Sequence, residues 1–324
     1  MASSETEQVD QRLSAVERHA HLDELLRSPL GVLIVARSMI EVGGTPPGMP
    51  VADHLGAAYS ANDIAFCLRE LVARHVGDGY FDSLTSERLT ELIVQSGEDL
   101  SPYIADYRQR VDEILAHGSS LRRAASCLLD APAAADWFAN LGRNRQVWIA
   151  RDNRPAEPNS FSADLRPFGA GITKPRRVLW TSTSAGSFPS MWIPYLRWGE
   201  DGREPPYHPW RLQVQSSARI YEIHGPQSWH ALCLMYPTAS TPAYPLPASK
   251  VLIEPDWQAV ARDWDGIHLS TGGLLTTERV VSGKPNAQTH LFGWQVESTA
   301  WLRWVFDRVE RLPDVDLGAG YNEL

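Results

Sequence analysis

The chain has 324 residues, 43% of them hydrophobic and 21% charged, and a formal net charge of −9. That balance fits a globular protein able to bury a sizeable core, and no run of about eighteen apolar residues supplies a transmembrane helix. The N-terminal stretch MASSETEQVDQRLSAVERHAHLDELL is acidic and polar and lacks the basic-then-apolar order of a signal peptide, so a cytoplasmic protein is expected.

Charge divides the chain. Up to residue 140 there are 21 acidic and 11 basic residues, against 18 and 19 in the remainder, and all three lysines (Lys174, Lys250, Lys284) lie in the second part. The acidity of the first part argues against nucleic-acid contact along its whole surface. Cys67, Cys127 and Cys233 are widely spaced in apolar contexts and read as buried free thiols. The ten histidines form no ligand pattern with Cys or carboxylates, so no metal site is expected.

Residues 1–142 read as an all-helical domain, regulatory or target-binding. Glu7 to Leu26 has heptad-like apolar spacing, and Leu30 to Ile40 follows the turn Ser28-Pro29. The breaker-rich loop Val42 to Pro50 comes next, then a helix from Ile64 to Val76 behind Ala61-Asn-Asp. Thr85-Ser86-Glu opens a helix through Val94, and Ser101-Pro102 opens one through His117. Ser119 to Asn140 is helical with an interruption at Ala131-Pro132.

At Gly142 the pattern switches to short strands, and residues 143–324 read as a second, strand-rich domain. Gln146 to Arg151 and Arg177 to Thr183 are strands, and Ser190 to Trp198 is a short helix limited by Pro194. Trp210 to Gln215 and Ala218 to His224 are further strands, the second ended by Gly225-Pro226. Tyr236 to Ser249 holds too much Pro for an element. Lys250 to Ile253 is a strand, Asp256 caps a helix with Trp257, Val260, Ala261 and Trp264 on its apolar face, and Gly266 to Thr271 is a strand ended by Gly272-Gly273. The overall fold class is α+β.

His290 to Phe306 reads as one long strand. Period-two counting puts Phe292, Trp294, Val296 and Trp304 on an apolar face, and Gln295 and Glu297 side by side on the other. Two further polar features end strands. Ile149-Ala-Arg151-Asp-Asn-Arg154 lies within residues 143–177, which hold eight basic and three acidic residues, an excess suited to phosphate. Val178-Leu-Trp-Thr-Ser182-Thr183-Ser184 runs an apolar strand into hydroxyls, which also suit a turn cap.

Taken in order, Arg on a strand, Ser-Thr-Ser ending the next and Gln-x-Glu late in the chain resemble the ADP-ribosyltransferase superfamily, in its Arg / Ser-Thr-Ser / [Gln/Glu]-x-Glu branch. The stretch Trp148-Ile-Ala-Arg-Asp-Asn-Arg-Pro155 is similar to the opening motif of the cholera-type toxins. Lys174 to Ser182, Asp256 to Gly266 and Gly293 to Ser298 resemble uncharacterised bacterial and phage-encoded sequences. The resemblance covers roughly residues 145–306. The 110 residues between Ser184 and Gln295 exceed the gap in compact toxins, so inserted structure is required.

The resemblance implies a mixed α/β catalytic domain that takes NAD as substrate and transfers ADP-ribose to a protein or nucleic-acid acceptor. By that likeness Glu297 would stabilise the ribosyl cation, and Gln295 would select an acceptor other than arginine, an amide or a nucleobase. Arg151 would hold the pyrophosphate, with Arg154 and Arg145 near enough to compete, and Ser182, Thr183 and Ser184 would orient Glu297 or the ribose. His268 would contact substrate or serve structurally. A toxin or phage-defence role, and an inhibitory partner, follow from the resemblance alone. Two other readings stand beside it. One is a non-catalytic module that stacks tryptophans on a nucleobase or sugar. The other is a glycoside hydrolase or NAD glycohydrolase using Glu297 with a second acid such as Asp265.

Overall fold

A computed structural model describes residues 15–43, 76–100, 111–112, 114–116, 118–150, 153–158, 165, 167–169, 172–186, 188–198, 206–240 and 251–316. The expected helix Ile64 to Val76, most of the one from Ser101, and the loop Val42 to Pro50 beyond Gly43 lie outside these residues. Among the described residues no helix is long and apolar enough to cross a membrane.

The fold is mixed α+β, with N-terminal helices followed by a strand-rich region. Helices α1 (Ala15–Arg27), α2 (Pro29–Gly43), α3 (Ser86–Asp99) and α4 (Gly118–Leu129) come first. Proline at the first turn of α2 gives up an N–H that has no helical partner, and the Ser28 hydroxyl accepts the Gly31 N–H at 3.4 Å. Every residue of α2 from Leu30 to Ile40 is buried, as expected of a helix apolar all round.

Strands β1 (Gln146–Ala150), β4 (Leu179–Thr183), β5 (His208–Val214), β6 (Ile220–Ile223), β9 (Gly266–Leu269), β12 (Ser298–Trp301) and β13 (Phe306–Arg311) form a seven-stranded sheet in the order β13-β5-β1-β4-β12-β9-β6. Its ladders are antiparallel except β6–β9, which is parallel. A parallel pair needs a crossover. Here it carries helices α6 (Pro226–Met235) and α7 (Trp257–Asp263), while α5 (Trp192–Trp198) lies between β4 and β5 and α8 (Thr271–Thr277) follows β9. The pairs β2–β3 (Pro167–Gly169, Ile172–Pro175), β7–β8 (Pro237–Ser240, Leu252–Pro255) and β10–β11 (Val281–Lys284, Ala287–His290) stand outside the sheet.

The change from helices to strands falls near residue 142, but the apolar core runs across it. Leu25, Ile34, Leu89 and Leu128 of the N-terminal helices share one buried cluster with Ile223, Trp229, Ile267, Leu274 and Ala300. A second cluster, with Leu179, Leu212, Trp301 and Phe306, holds the β13 side together.

The strand β6 ends before Gly225-Pro226 as expected, and Pro226 opens α6, since proline is tolerated in a first helical turn. Three sequence expectations change. The Pro-rich stretch from Tyr236 does hold an element: Pro237 starts β7, where no ladder N–H is required of it, and Thr238 to Ser240 pair with β8. Gly272 and Gly273 do not break the chain but lie inside α8, whose cap is Ser270 accepting the Gly273 N–H at 3.0 Å. They are glycines because neighbours press on them. A Cβ on Gly272 would lie 2.2 Å from the Phe138 ring, and one on Gly273 2.1 Å from the Ile223 carbonyl oxygen. Finally, His290 to Phe306 is not one strand. Gly293 and Gln295 have positive φ (88° and 65°), which breaks extension. The buried Glu278 pins that kink by accepting the Gly293 N–H at 2.8 Å. His290 ends β11, β12 lies within the stretch and Phe306 begins β13, each on a different ladder. All four residues of β12 are buried, so period-two alternation vanishes where both faces are covered.

Because backbone, not a flexible side chain, opposes Gly273, Gly273→Ala should force α8 away from β6. The expected loss is about 1–3 kcal/mol, read as a lower denaturant midpoint at unchanged slope; an unchanged midpoint would contradict this packing.

Candidate active site

Strand register puts a row of polar groups on one face of the sheet. His268 pairs with Glu222 on β6 and with Thr299 on β12, and Thr299 pairs with Thr181 on β4. One pleat along lie Glu297, Thr183 and, opposite Thr183 on β1, Gln146. Cross-strand partners share a face, and Gln146, Thr181, His268, Glu297 and Thr299 are all buried.

Hydrogen bonds connect the row. Glu297 Oε2 accepts the Thr183 backbone N–H at 2.9 Å, and Oε1 accepts the Thr183 hydroxyl at 2.7 Å and His268 Nε2 at 3.0 Å. His268 Nδ1 meets Glu222 Oε2 at 2.5 Å, and Glu222 Oε1 accepts the Leu141 N–H at 3.0 Å. Behind Thr183, Gln146 Nε2 donates to its hydroxyl at 3.2 Å, while Gln146 Oε1 accepts from Thr181 and Thr299.

An ionised carboxylate only accepts, so both nitrogens of His268 must donate and the ring is an imidazolium. Burial by itself would lower its pKa, but the hydrogen bonds and charges of Glu222 and Glu297 outweigh it and raise the pKa to about 9. Burial likewise opposes ionisation of Glu222, yet the bonded His268 holds that carboxyl below its usual value. Two carboxylates around one imidazolium leave the group formally negative by one charge.

Glu297 and His268 form the floor of a cleft of about 680 Å³, counted to its open mouth. Thr183, Ser184 and Gly186 line it beside Glu297, Ser270 and Thr271 lie beyond His268, and Arg145 stands at the rim. The Arg145 guanidinium donates to the Ser184 carbonyl at 2.8 Å and faces Asp136 at 3.4 Å. Both partners of that ion pair are exposed, so it is weak and displaceable. The opposite wall comes from the N-terminal helices: Ser86 and Thr90 of α3, then Ala133, Trp137 and Asn140.

The sequence-predicted residues divide. Thr183, Ser184 and Glu297 meet in the cleft, joined by Arg145. Ser182 points to the other face of β4 and hydrogen-bonds Ser190 at 2.6 Å, so the adjacent Thr183 makes the contact with Glu297 expected of Ser182. Gln295 is exposed on the kinked loop, where Lys174 donates to it at 3.2 Å, and does not line the cleft. The pairing of Gln295 with Glu297 on one strand face is thus corrected. Arg154 is exposed and also absent from the lining; Arg151 lies outside the described residues. Asp265 sits at the far end of β9, bonded to the Arg219 N–H and ion-paired with Arg303. Among the described residues no cluster of His, Cys, Asp or Glu suits a metal ion.

Sequence reasoning passed over Glu222 and Gln146 and gave His268 no partners. The available signal was a lone charged or imidazole side chain inside an apolar strand, as in Ile220-Tyr-Glu-Ile and Gly266-Ile-His-Leu. Comparison with protein-family models, curated proteins and solved structures gives no match.

Stability should peak near the ordinary histidine value of 6.5. With its pKa raised, His268 contributes stability that is complete below 6.5 and lost as pH climbs through about 9. Burial lowers the pKa of His290 to about 4, so its contribution is complete above 6.5 and lost as pH falls. Thermal midpoints followed from about pH 5 to about pH 9.5 should therefore fall on both sides, and His268→Gln should flatten the alkaline side. An alkaline slope unchanged by that substitution would contradict the assignment.

Proposed function

We propose that the cleft cleaves the bond between ribose and nicotinamide in NAD and passes ADP-ribose to an acceptor. The observation that carries this reading is the buried Glu297 carboxylate, fixed by Thr183 and His268 at the floor of a cleft with an arginine at its rim.

The chemistry asks little more of the protein. When the glycosidic bond breaks, its electron pair neutralises the pyridinium nitrogen, so nicotinamide leaves uncharged and needs no general acid. Positive charge develops on the ribose instead, and a fixed negative group beside it stabilises that transition state. The formally negative Glu222–His268–Glu297 group meets that need without reorganising. Arg145 supplies a planar fork for the pyrophosphate once Asp136 gives way.

The acceptor class rests on the sequence resemblance, which favours an amide or a nucleobase. Gln295 stands off the cleft, which favours a second reading in which water takes the ribosyl cation and the protein is an NAD glycohydrolase. A tryptophan stacking platform has less support, because Trp229, Trp257, Trp294 and Trp301 are fully buried. A toxin or phage-defence role remains a proposal from the resemblance. Deleting residues 1–142 is a poor test of it, since that segment supplies a cleft wall and part of the core.

With NAD labelled on the adenylate and offered protein, DNA and RNA acceptors, the full chain should release nicotinamide. Glu297→Gln should slow release by about 10²–10³-fold, and Arg145→Ala should mainly raise KM. Label on an acceptor supports transfer, and nicotinamide without label supports hydrolysis. No release by the wild type would discard the reading.

A further inference from the structure

We infer that Glu222 is a positioning residue for Glu297, acting through His268 to keep a hydrogen-bond donor aimed at the cleft carboxylate. The inference deepens the NAD reading and rests on it only where turnover is measured.

Glu222 lines no part of the cleft. One of its oxygens is anchored by the Leu141 N–H and the other meets His268 Nδ1 at 2.5 Å, while the opposite ring nitrogen meets Glu297 at 3.0 Å. The imidazole is 3% exposed, so its two nitrogens depend on these carboxylates more than on solvent. A neutral ring has one N–H and one lone pair. Whichever nitrogen lost the proton, a lone pair would then face a carboxylate oxygen. If that nitrogen were Nε2, Glu297 would lose one of its three donors and be pushed from its place against Thr183. Glu222 prevents this by making the doubly protonated ring the favoured form, and the Leu141 anchor in the segment before β1 fixes where that ring points.

Other charged groups around His268 do not perform this task. Glu222 lies on β6 and His224 just after it, Glu297 precedes β12, and Arg145 and Asp136 stand across the cleft. His224 bonds Ser270 and Asn140, and burial lowers its pKa. Asp265, at the other end of β9, is committed to the Arg219 N–H and Arg303.

In Glu222→Gln the amide oxygen can still accept from Nδ1, but its charge is gone. His268 should then titrate close to the ordinary value of 6.5 in place of about 9. Relative to wild type, nicotinamide release should fall a further ~20-fold between pH 6 and pH 8, where such a ring is mostly neutral. His268→Gln offers Glu297 a donor that does not titrate, so what activity it keeps should not decline between pH 6 and 9. The ring itself is followed by nitrogen NMR of labelled histidine in the wild type and in Glu222→Gln, which needs no turnover. Both ring nitrogens protonated in the wild type at pH 8, and one deprotonated in the variant, supports the inference even if NAD is not cleaved, an outcome that rejects only the NAD reading. A His268 already neutral in the wild type at pH 8, or a titration unmoved in a folded Glu222→Gln, overturns it. So does a shifted titration with a pH–rate profile superimposable on wild type.

Discussion

The site depends on an imidazolium buried between two carboxylates. Removing charges from water costs several kcal/mol per ion unless each is paired and hydrogen-bonded. Here each is: Glu297 has Thr183 and His268, His268 has both glutamates, and Glu222 has the Leu141 N–H. The pairing requires β6, β9, β12 and β4 to lie in one register, because slipping any strand by one residue would turn its polar group to the other face. The sheet register and the chemistry of the cleft are therefore one constraint.

That constraint also explains the dense packing around the polar row. The sheet's helical face is filled by apolar groups from both halves of the chain, and α8 is drawn close enough that Gly272 and Gly273 have no room for a Cβ. Phe138, pressed on Gly272, stacks in turn on His21 of α1 at 3.7 Å. The turn that carries Asp136, Trp137 and Asn140 into the cleft wall is thus clamped between the first helix and α8. A substrate in the cleft would touch groups from both the helical and the strand-rich segments, so its binding should couple them.

Much of the fold was legible because its signals are local. The Asp256 cap, the turn at Ser28-Pro29 and the strands from Gln146 and up to Thr183 depend on neighbours in sequence. What misled was long-range. Gly272-Gly273 reads as a break until the Phe138 ring and the Ile223 carbonyl arrive beside it. His290 to Phe306 reads as one strand until Glu278 draws in the Gly293 N–H and turns Gln295 outward. Glu297, Thr183 and Ser184 were singled out by the ordered motifs of the resemblance, and the structure brings the three into one cleft. Grouping Ser182 with Thr183 passed over strand face, since only strand pairing decides which hydroxyl meets the carboxylate. Glu222 and Gln146 act by way of other strands, and a single sequence does not reveal such partners.

The most direct test of the central claim is a crystal structure of Glu297→Gln with NAD, the substitution slowing turnover so that intact substrate is retained. The account predicts the nicotinamide ribose beside position 297 and Thr183, with the pyrophosphate on Arg145 in place of Asp136. NAD bound away from the floor of this cleft, or none bound at saturating concentration to a protein whose Glu222–His268 pair is intact, would contradict it.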